Sequence, residues 1–108
     1  MERTEQISTL LLKIRTEMEE LKLWQSSPPP AEALASTQPF CVDTLHFTEW
    51  LQWLLIPRLQ EMIRQEIPLP QSSQIHPMAE EVFKQMEQDT DRLLGLIGHL
   101  DKTLCTLH

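Results

Sequence analysis

The amino-terminal part of the chain carries a stripe of large apolar residues with helical periodicity. They recur at spacings of 4, 3, 4 and 3 positions, which places them on one face of a helix: Ile7, Leu11, Ile14, Met18 and Leu21. The pattern predicts an amphipathic helix over residues 4–24, with Thr4 as its amino-terminal cap. Ser26, Ser27 and Pro28–Pro30 end it, because proline has no amide hydrogen and constrains the residue before it.

The same spacing returns at the carboxyl-terminal end of the chain. The residues there are all aliphatic: Leu93, Ile97, Leu100, Leu104 and Leu107. This stripe predicts a second long helix over residues 90–107, capped by Asp89 or Thr90. Because two matched stripes shield each other when their helices lie side by side, we expect the terminal helices to pack nearly antiparallel at a shallow angle.

The middle of the chain is dense in large apolar groups and predicts a central helix over residues 47–65. Its apolar side chains centre on one direction before Pro57, and after Pro57 on a direction turned by more than roughly 100°. Pro57 removes the hydrogen bond to the carbonyl of Trp53 and crowds that carbonyl, so a kink near Pro57 explains the change. A helix buried nearly all round is the alternative.

Proline-containing connections separate these helices. Residues 25–46 form a long connection, stiffened at its start by three prolines, and residues 31–34 within it suit a short turn of helix. A shorter helix is predicted over residues 77–87, with Pro77 at its first position. Its buried side chains would be Met78, Val82, Phe83 and Met86. The predicted fold class is all-α, a small four-helix up-and-down bundle formed by a single domain over residues 1–108.

The charge of the chain bears on its partners. Nine Lys and Arg against sixteen Asp and Glu give a formal charge of −7. Nucleic-acid binders gain affinity from clustered basic residues that displace counterions, and residues 25–48 contain no Lys or Arg at all. Direct binding to nucleic acid or to an anionic membrane surface is therefore not expected. The longest apolar run, Trp53–Ile56, has four residues, against the roughly 20 that span a bilayer.

The amino terminus lacks the basic and apolar regions of a signal peptide, which predicts a cytoplasmic protein. In that reducing compartment Cys41 and Cys105 are expected to be free thiols. Cys105 and His108 are three residues apart and His99 lies further upstream, but a zinc site needs three or four convergent ligands. No metal site and no cofactor is predicted.

His46 and Glu49 are spaced to lie side by side at the start of the central helix, with Asp43 near them. A carboxylate can orient an imidazole for general-base chemistry, but such pairs also occur as helix-start electrostatics. The chain has no G-x-S-x-G, phosphate-binding glycine loop or H-E-x-x-H motif, and two glycines cannot form a dinucleotide-binding turn. We therefore predict a protein without catalytic activity.

Aromatic and polar residues alternate between the end of the long connection and the middle of the central helix. Trp50 and Trp53 point about 60° apart around that helix, which suits core packing and also suits aromatic anchors for a partner. A candidate surface for an unidentified protein partner comprises nine residues: Gln38, Phe40, Asp43, His46, Glu49, Trp50, Gln52, Trp53 and Arg58. The alternative is a small-molecule-binding or enzymatic domain with a pocket between residues 36–46 and the central helix. That alternative requires the imidazole, carboxylate or thiol of this region to converge on one cleft.

Two glycines interrupt the last helix. Gly95 and Gly98 point away from the apolar stripe, and each costs about 1 kcal/mol relative to alanine in an exposed helix interior. Close approach of another element to this face would explain them. The element is either a second copy of the chain, which makes a homodimer, or the end of the 25–46 connection; neutral drift on a stable helix is the alternative.

Short motifs carry a resemblance to a known family. They are S-T-Q-P-F at 36–40, D-T at 43–44, E-W-L-Q-W at 49–53, L-I-P-R at 55–58 and P-L-P at 68–70. In this combination the chain resembles the YqcC-like family of small bacterial proteins of unknown function. The resemblance implies a compact all-helical domain and a gene often found beside one for a tRNA pseudouridine synthase, but no catalytic or binding residue. An accessory factor for such a tRNA-modifying enzyme is implied, and the acidic charge favours contact with the enzyme over contact with RNA.

Overall fold

The computed structural model describes residues 2–68 and 74–105, with the side chains of residues 4–68 and 74–104. In chain order its elements are α1 (Glu2–Glu20), α2 (Ala31–Leu34), a 3₁₀ turn (Pro39–Cys41), α3 (Phe47–Trp50), a π turn (Leu51–Leu55), α4 (Ile56–Arg64), α5 (Ile75–Phe83) and α6 (Asp91–Cys105). No strand occurs in these ranges, so the predicted all-α class and small helical bundle are confirmed. Within the same ranges, every helix is too short or too polar to cross a membrane.

α1 and α6 pack against each other through the two apolar stripes. Their inward side chains are almost completely buried: Ile7, Leu11, Ile14, Met18, Leu93, Ile97, Leu100 and Leu104. Arg92 Nε near the start of α6 lies 3.8 Å from Glu17 Oε1 near the end of α1, whereas His99, further along α6, shares a groove with Glu5. The two helices are therefore antiparallel. Each fully buried Leu or Ile contributes about 1.5–3 kcal/mol relative to an exposed one, which makes this pair the main part of the core.

The predicted central helix is present as α3, the π turn and α4 in direct succession. The amide of Ile56 donates to the carbonyl of Leu51, five residues back, which inserts one extra residue into that turn. One extra residue offsets the positions after the turn by about 100° relative to a regular α-helix, and Leu51, Leu55, Ile56 and Leu59 are all buried in one core. The change of direction that we attributed to a kink near Pro57 thus coincides with a π turn directly before Pro57, where the missing proline amide leaves the regular hydrogen-bond ladder open.

The end of α1 differs from the prediction, because the helix stops at Glu20 instead of residue 24. Lys22 takes the left-handed conformation, with φ of 63°. Its amide donates to Glu19 O at 3.1 Å, and the amide of Leu23 donates to Met18 O at 2.8 Å. These two bonds form a Schellman motif, which satisfies the last carbonyls and turns the chain out of the helix. The sequence did not predict this motif, because its left-handed position is occupied by Lys22, where glycine is the usual residue.

α4 ends in the same way. Glu66 has φ of 59°, and the amide of Ile67 donates to Met62 O at 2.9 Å. The central helix therefore ends at Arg64, one residue before the predicted 65. At the other end of the chain, α6 begins at Asp91, one residue after the predicted start, and residues 106–108 of that prediction lie outside the described residues. α1 begins at Glu2, so Thr4 lies inside the helix and does not cap it.

α5 is displaced from its predicted position, since it spans Ile75–Phe83 and not residues 77–87. A tertiary contact explains the earlier start. The Asp101 carboxylate of α6 accepts hydrogen bonds from the amides of Ile75 and His76, at 3.3 and 2.7 Å. A carboxylate satisfies free amides and favours the positive end of a helix. Pro77 is consequently the third helical residue and not the first.

Gly98 allows the start of α5 to lie close against α6. A β-carbon built on Gly98 would lie 2.9 Å from Cδ2 of His76, which is closer than real side chains approach. Gly95 has open space around it and is exposed. The element close to Gly98 is therefore α5 of the same chain and not the end of the 25–46 connection, and a homodimer across this face stays a prediction.

Candidate partner-binding site

The long connection is attached to the central helix through Gln25. Its amide donates to Gln52 Oε1 at 2.8 Å, and its carbonyl accepts from Gln52 Nε2 at 2.7 Å. Its side chain is held as well: Nε2 donates to Glu49 Oε2 at 3.1 Å, and Oε1 accepts from Trp53 Nε1 at 2.8 Å. Gln52 is 4% exposed, and both the oxygen and the nitrogen of its buried carboxamide are hydrogen-bonded to one residue of the connection.

The prediction that Gln52 belongs to the candidate partner surface is therefore wrong, because a side chain buried to this extent cannot contact another protein. Glu49 and Trp53 are half-buried and are engaged by Gln25. Polar groups at these three positions hold the segment that follows α1. A role of Glu49 and Trp53 in partner binding stays a prediction.

His46 and Glu49 form a reciprocal cap at the start of α3. His46 Nδ1 accepts from the amide of Thr48 at 3.2 Å, and Glu49 Oε1 accepts from the amide of His46 at 2.8 Å. This is the geometry of a capping box, with histidine in the place of the usual serine or threonine. The pair thus stabilises the start of the central helix, as the electrostatic interpretation of this spacing anticipated.

The loop between α2 and α3 is closed by local hydrogen bonds. Ser36 Oγ donates to Asp43 Oδ1 at 2.6 Å and accepts from the amide of Gln38 at 3.1 Å. Thr44 Oγ1 donates to the carbonyl of Ala33 at 2.7 Å. Asp43, another member of the predicted surface, is thus used within the loop, and the loop is folded back onto itself.

An aromatic cluster lies under this loop. The rings of Phe40 and Trp50 meet edge to face with centroids 4.8 Å apart, and Phe47 stacks on Trp50 at 5.7 Å. Phe40 and Cys41 have φ of 57° and 50°, a left-handed pair without glycine. Such residues cost roughly 1–2 kcal/mol each and persist where packing compensates. Here the Phe40 ring and the buried Cys41 thiol supply that packing.

A pocket opens between the folded loop and the central helix, with a volume of about 430 Å³. We call it the Arg58 pocket. Its apolar walls include the half-buried Phe40 and Trp50, and its exposed edge carries Gln38 and Arg58. The full lining is Leu34, Ser36, Gln38, Phe40, Cys41, Trp50, Leu54, Leu55 and Arg58. Four of the nine predicted surface residues thus meet in one pocket.

The side chains of catalytic type in this region, Cys41, His46 and Glu49, do not converge on one cleft. Cys41 lines the Arg58 pocket, whereas His46 lines a separate groove against α5, and Glu49 lines neither. The condition that the enzymatic alternative required is therefore not met by these three groups. Within the described residues no three His, Cys, Asp or Glu side chains are grouped as metal ligands. The side chains of Cys105 and His108 lie outside that description.

Sequence reasoning missed Gln25, Leu34 and Leu54. Nothing local distinguishes Gln25 from other polar residues that follow a helix, since its partners lie 24 to 28 residues away. Leu34 belongs to the short helical turn that was predicted, but its position over the central helix depends on how the connection folds. Leu54 is apolar, and from the sequence alone burial in the core explained its presence as well as a position in a pocket.

The sequence and the structure of the chain are similar to those of known proteins. A family model described as "tRNA pseudouridine synthase C" matches residues 6–103. The solution NMR structure of Escherichia coli YqcC has a TM-score of 0.85 and 27% sequence identity, covering 100% of this chain and 95% of that one. The chain belongs to the YqcC-like family. A Haemophilus influenzae relative named an uncharacterized protein is 39% identical over 88 residues, 82% of this chain and 83% of the relative.

Two further YqcC-like relatives match over shorter lengths. E. coli YqcC itself, named an uncharacterized protein, is 40% identical over 57 residues, about half of each chain. A Pectobacterium carotovorum protein named tRNA pseudouridine synthase C is 40% identical over 72 residues. That match covers 67% of this chain but 19% of the relative, so this chain corresponds to about a fifth of the longer protein.

Proposed function

We propose that this protein is a non-catalytic, cytoplasmic protein-binding module that acts as an accessory factor for a tRNA pseudouridine synthase of type C. The observation that carries the proposal is the Pectobacterium relative, in which YqcC-like sequence occupies a fifth of a polypeptide named for that enzyme. Two functions joined in one chain in one bacterium are commonly performed by separate, interacting chains in another. The module would then contact the synthase through its surface.

The Arg58 pocket supports binding of a protein. Trp and Arg are enriched among the residues that dominate binding energy at protein interfaces, and Trp50 and Arg58 lie in the same pocket. Phe40, Leu34 and Leu54 add half-buried apolar area around them. A concave, partly apolar site with a few polar groups at its edge suits an inserted side chain of a partner.

The charge distribution supports contact with the enzyme rather than with tRNA. The chain has a formal charge of −7, and between Lys22 and Arg58 the sequence contains no Lys or Arg. Phosphate binding requires several cations close together, because affinity comes from displaced counterions. A surface with one arginine beside aromatic rings does not supply this.

The test uses the purified protein and the separately encoded synthase from the same bacterium. We expect a stoichiometric complex in analytical size-exclusion chromatography and saturable heat in titration calorimetry. A tRNA titration followed by fluorescence anisotropy should show no binding by the module alone. Absence of a complex with the synthase, or tight tRNA binding by the module, contradicts the proposal.

Variants then locate the interface. Gln38→Arg places a bulky exposed side chain at the mouth of the Arg58 pocket and should weaken the complex. Leu12→Asp is the matched control, because Leu12 is the most exposed large apolar residue among the described side chains and lies on α1, away from the pocket. Equal affinity of both variants and the wild type would place the interface elsewhere.

A further inference from the structure

The Arg58 guanidinium has no anionic partner within the described chain. Arg15, Arg64, Lys84 and Arg92 each lie within 4 Å of a carboxylate, but no such pair involves Arg58. In the sequence it is also isolated, since no other Lys or Arg occurs between residues 23 and 63. The Arg58 guanidinium is therefore not paired with a carboxylate of the described residues.

The pocket differs in charge from four other grooves on the described surface. Four other grooves of similar size are each lined by at least one glutamate: Glu81, Glu5, Glu17 with Glu20, and Glu19. The Arg58 pocket is lined by one arginine and by no carboxylate. In a protein with sixteen acidic and nine basic residues, this is a local reversal of the overall charge.

The uncharged residues of the pocket lining indicate which other groups a ligand would carry. Phe40, Trp50 and Leu54 are half-buried and offer apolar and aromatic area to an inserted group. Gln38 is exposed at the same edge, and its carboxamide makes no hydrogen bond to the described residues, so it can donate to an oxygen of a bound ligand. Ser36 Oγ already donates to Asp43 and is not available for this.

We infer that the Arg58 pocket binds a segment of a partner protein in which a carboxylate side chain adjoins a large apolar side chain. The apolar group enters between Phe40, Trp50 and Leu54, and the carboxylate pairs with the Arg58 guanidinium. Charge complementarity selects this occupant over a basic segment, because an added cation would face Arg58 in a pocket whose lining contains no carboxylate. The inference rests on the proposed function, because it takes the protein to be a protein-binding module. It adds which pocket binds the partner and which side chains of the partner that pocket recognises.

The experiment selects random peptides displayed on phage against the immobilised full-length protein, so it does not depend on the identity of the partner. We expect the wild type to enrich peptides with Asp or Glu next to Trp, Phe or Leu. Arg58→Glu should weaken an enriched peptide by about 10- to 100-fold, as expected for loss of a charge-assisted hydrogen bond. Replacement of the peptide carboxylate by lysine should restore binding to the Arg58→Glu protein.

Arg64→Glu is the matched control. Arg64 also lies on α4 and is exposed, but it pairs with Glu61 and is not part of the pocket lining. Both arginines are exposed, so both variants should fold, which circular dichroism verifies. Equal weakening by the two variants, enrichment of lysine-rich peptides, or no enrichment at all overturns the inference.

The two proposals can fail separately. If the synthase does not bind but acidic-apolar peptides are selected through Arg58, the assigned partner is wrong and the pocket chemistry stands. If the synthase binds with the same affinity to wild type and Arg58→Glu, the proposed function stands and the assignment of this pocket is wrong.

Discussion

The carboxamide of Gln52 pairs with both main-chain groups of Gln25, 27 residues earlier in the chain, at 2.8 and 2.7 Å. A side-chain amide has one acceptor and two donor hydrogens, so a single residue can satisfy the N–H and the C=O of another. This pairing attaches the beginning of the long connection to the middle of the central helix. It thereby fixes where the connection runs and allows the rest of it to form the wall of the Arg58 pocket.

Replacement of Gln52 by leucine should therefore destabilise the protein substantially. Two main-chain groups would lose their partners in a partly buried environment, and each such group costs about 1–3 kcal/mol. We expect a loss of about 2–4 kcal/mol in the free energy of unfolding, measured by urea denaturation. Gln60→Leu, at an exposed position of α4, should change it by less than about 0.5 kcal/mol. Similar effects of the two substitutions would show that the Gln25 pairing contributes little.

The two glycines of α6 should respond differently to alanine. Gly95 has open space around it, so Gly95→Ala should raise the free energy of unfolding by about 0.5–1 kcal/mol through helix propensity. Gly98→Ala should gain less or lose stability, because the new methyl group meets the His76 ring. Thermal unfolding followed by circular dichroism compares the two. The double variant Gly98→Ala with His76→Ala should recover the missing gain if the ring contact is the cause.

Glycine at the left-handed end of α1 should stabilise the protein. Lys22 has φ of 63°, a conformation that costs a non-glycine residue roughly 1–2 kcal/mol, while glycine loses about 0.5–1 kcal/mol in the unfolded chain. Lys22→Gly is expected to gain about 0.5–1 kcal/mol, measured by urea denaturation. Lys22→Ala keeps the strained conformation and should give no such gain. A gain of the same size with alanine would point to removal of the lysine charge instead.

Loss of the histidine cap should weaken the start of the central helix. His46 Nδ1 accepts from the amide of Thr48, so His46→Ala should cost about 1 kcal/mol of unfolding free energy. His46→Asn supplies a side-chain acceptor that suits a helix start and should retain most of the stability. Thermal denaturation of the three proteins measures this. If alanine and asparagine behave alike, the capping bond is not a source of stability.

The local pattern of the sequence was sufficient to predict which segments are helical. Leucine and isoleucine at spacings of 4 and 3 place an apolar face on one side of a helix whatever surrounds it, and that face must be buried in water. The pairing of the first and last helices followed from the same spacing. The change of buried face near Pro57 was also present in the sequence, since it depends on side-chain order along one segment.

The helix ends and the site depended on contacts between distant residues. The start of α5 is set by Asp101 of another helix, and the end of α1 is set by a lysine in a conformation that its sequence disfavours. The aromatic and polar residue types indicated the region of the candidate surface, but they did not indicate which of its side chains form hydrogen bonds within the chain. Asp43, His46, Glu49, Gln52 and Trp53 all make hydrogen bonds inside the chain, whereas Gln38, Phe40, Trp50 and Arg58 line the pocket.

Residue order over a few helical turns was thus enough to predict the helical class and the pairing of the terminal helices. The tertiary structure alone decided which polar groups stay available to a partner. A hydrogen-bonding side chain satisfies whichever complementary group comes within about 3 Å, and that neighbour is set by the folded path of the connection, not by spacing along the chain.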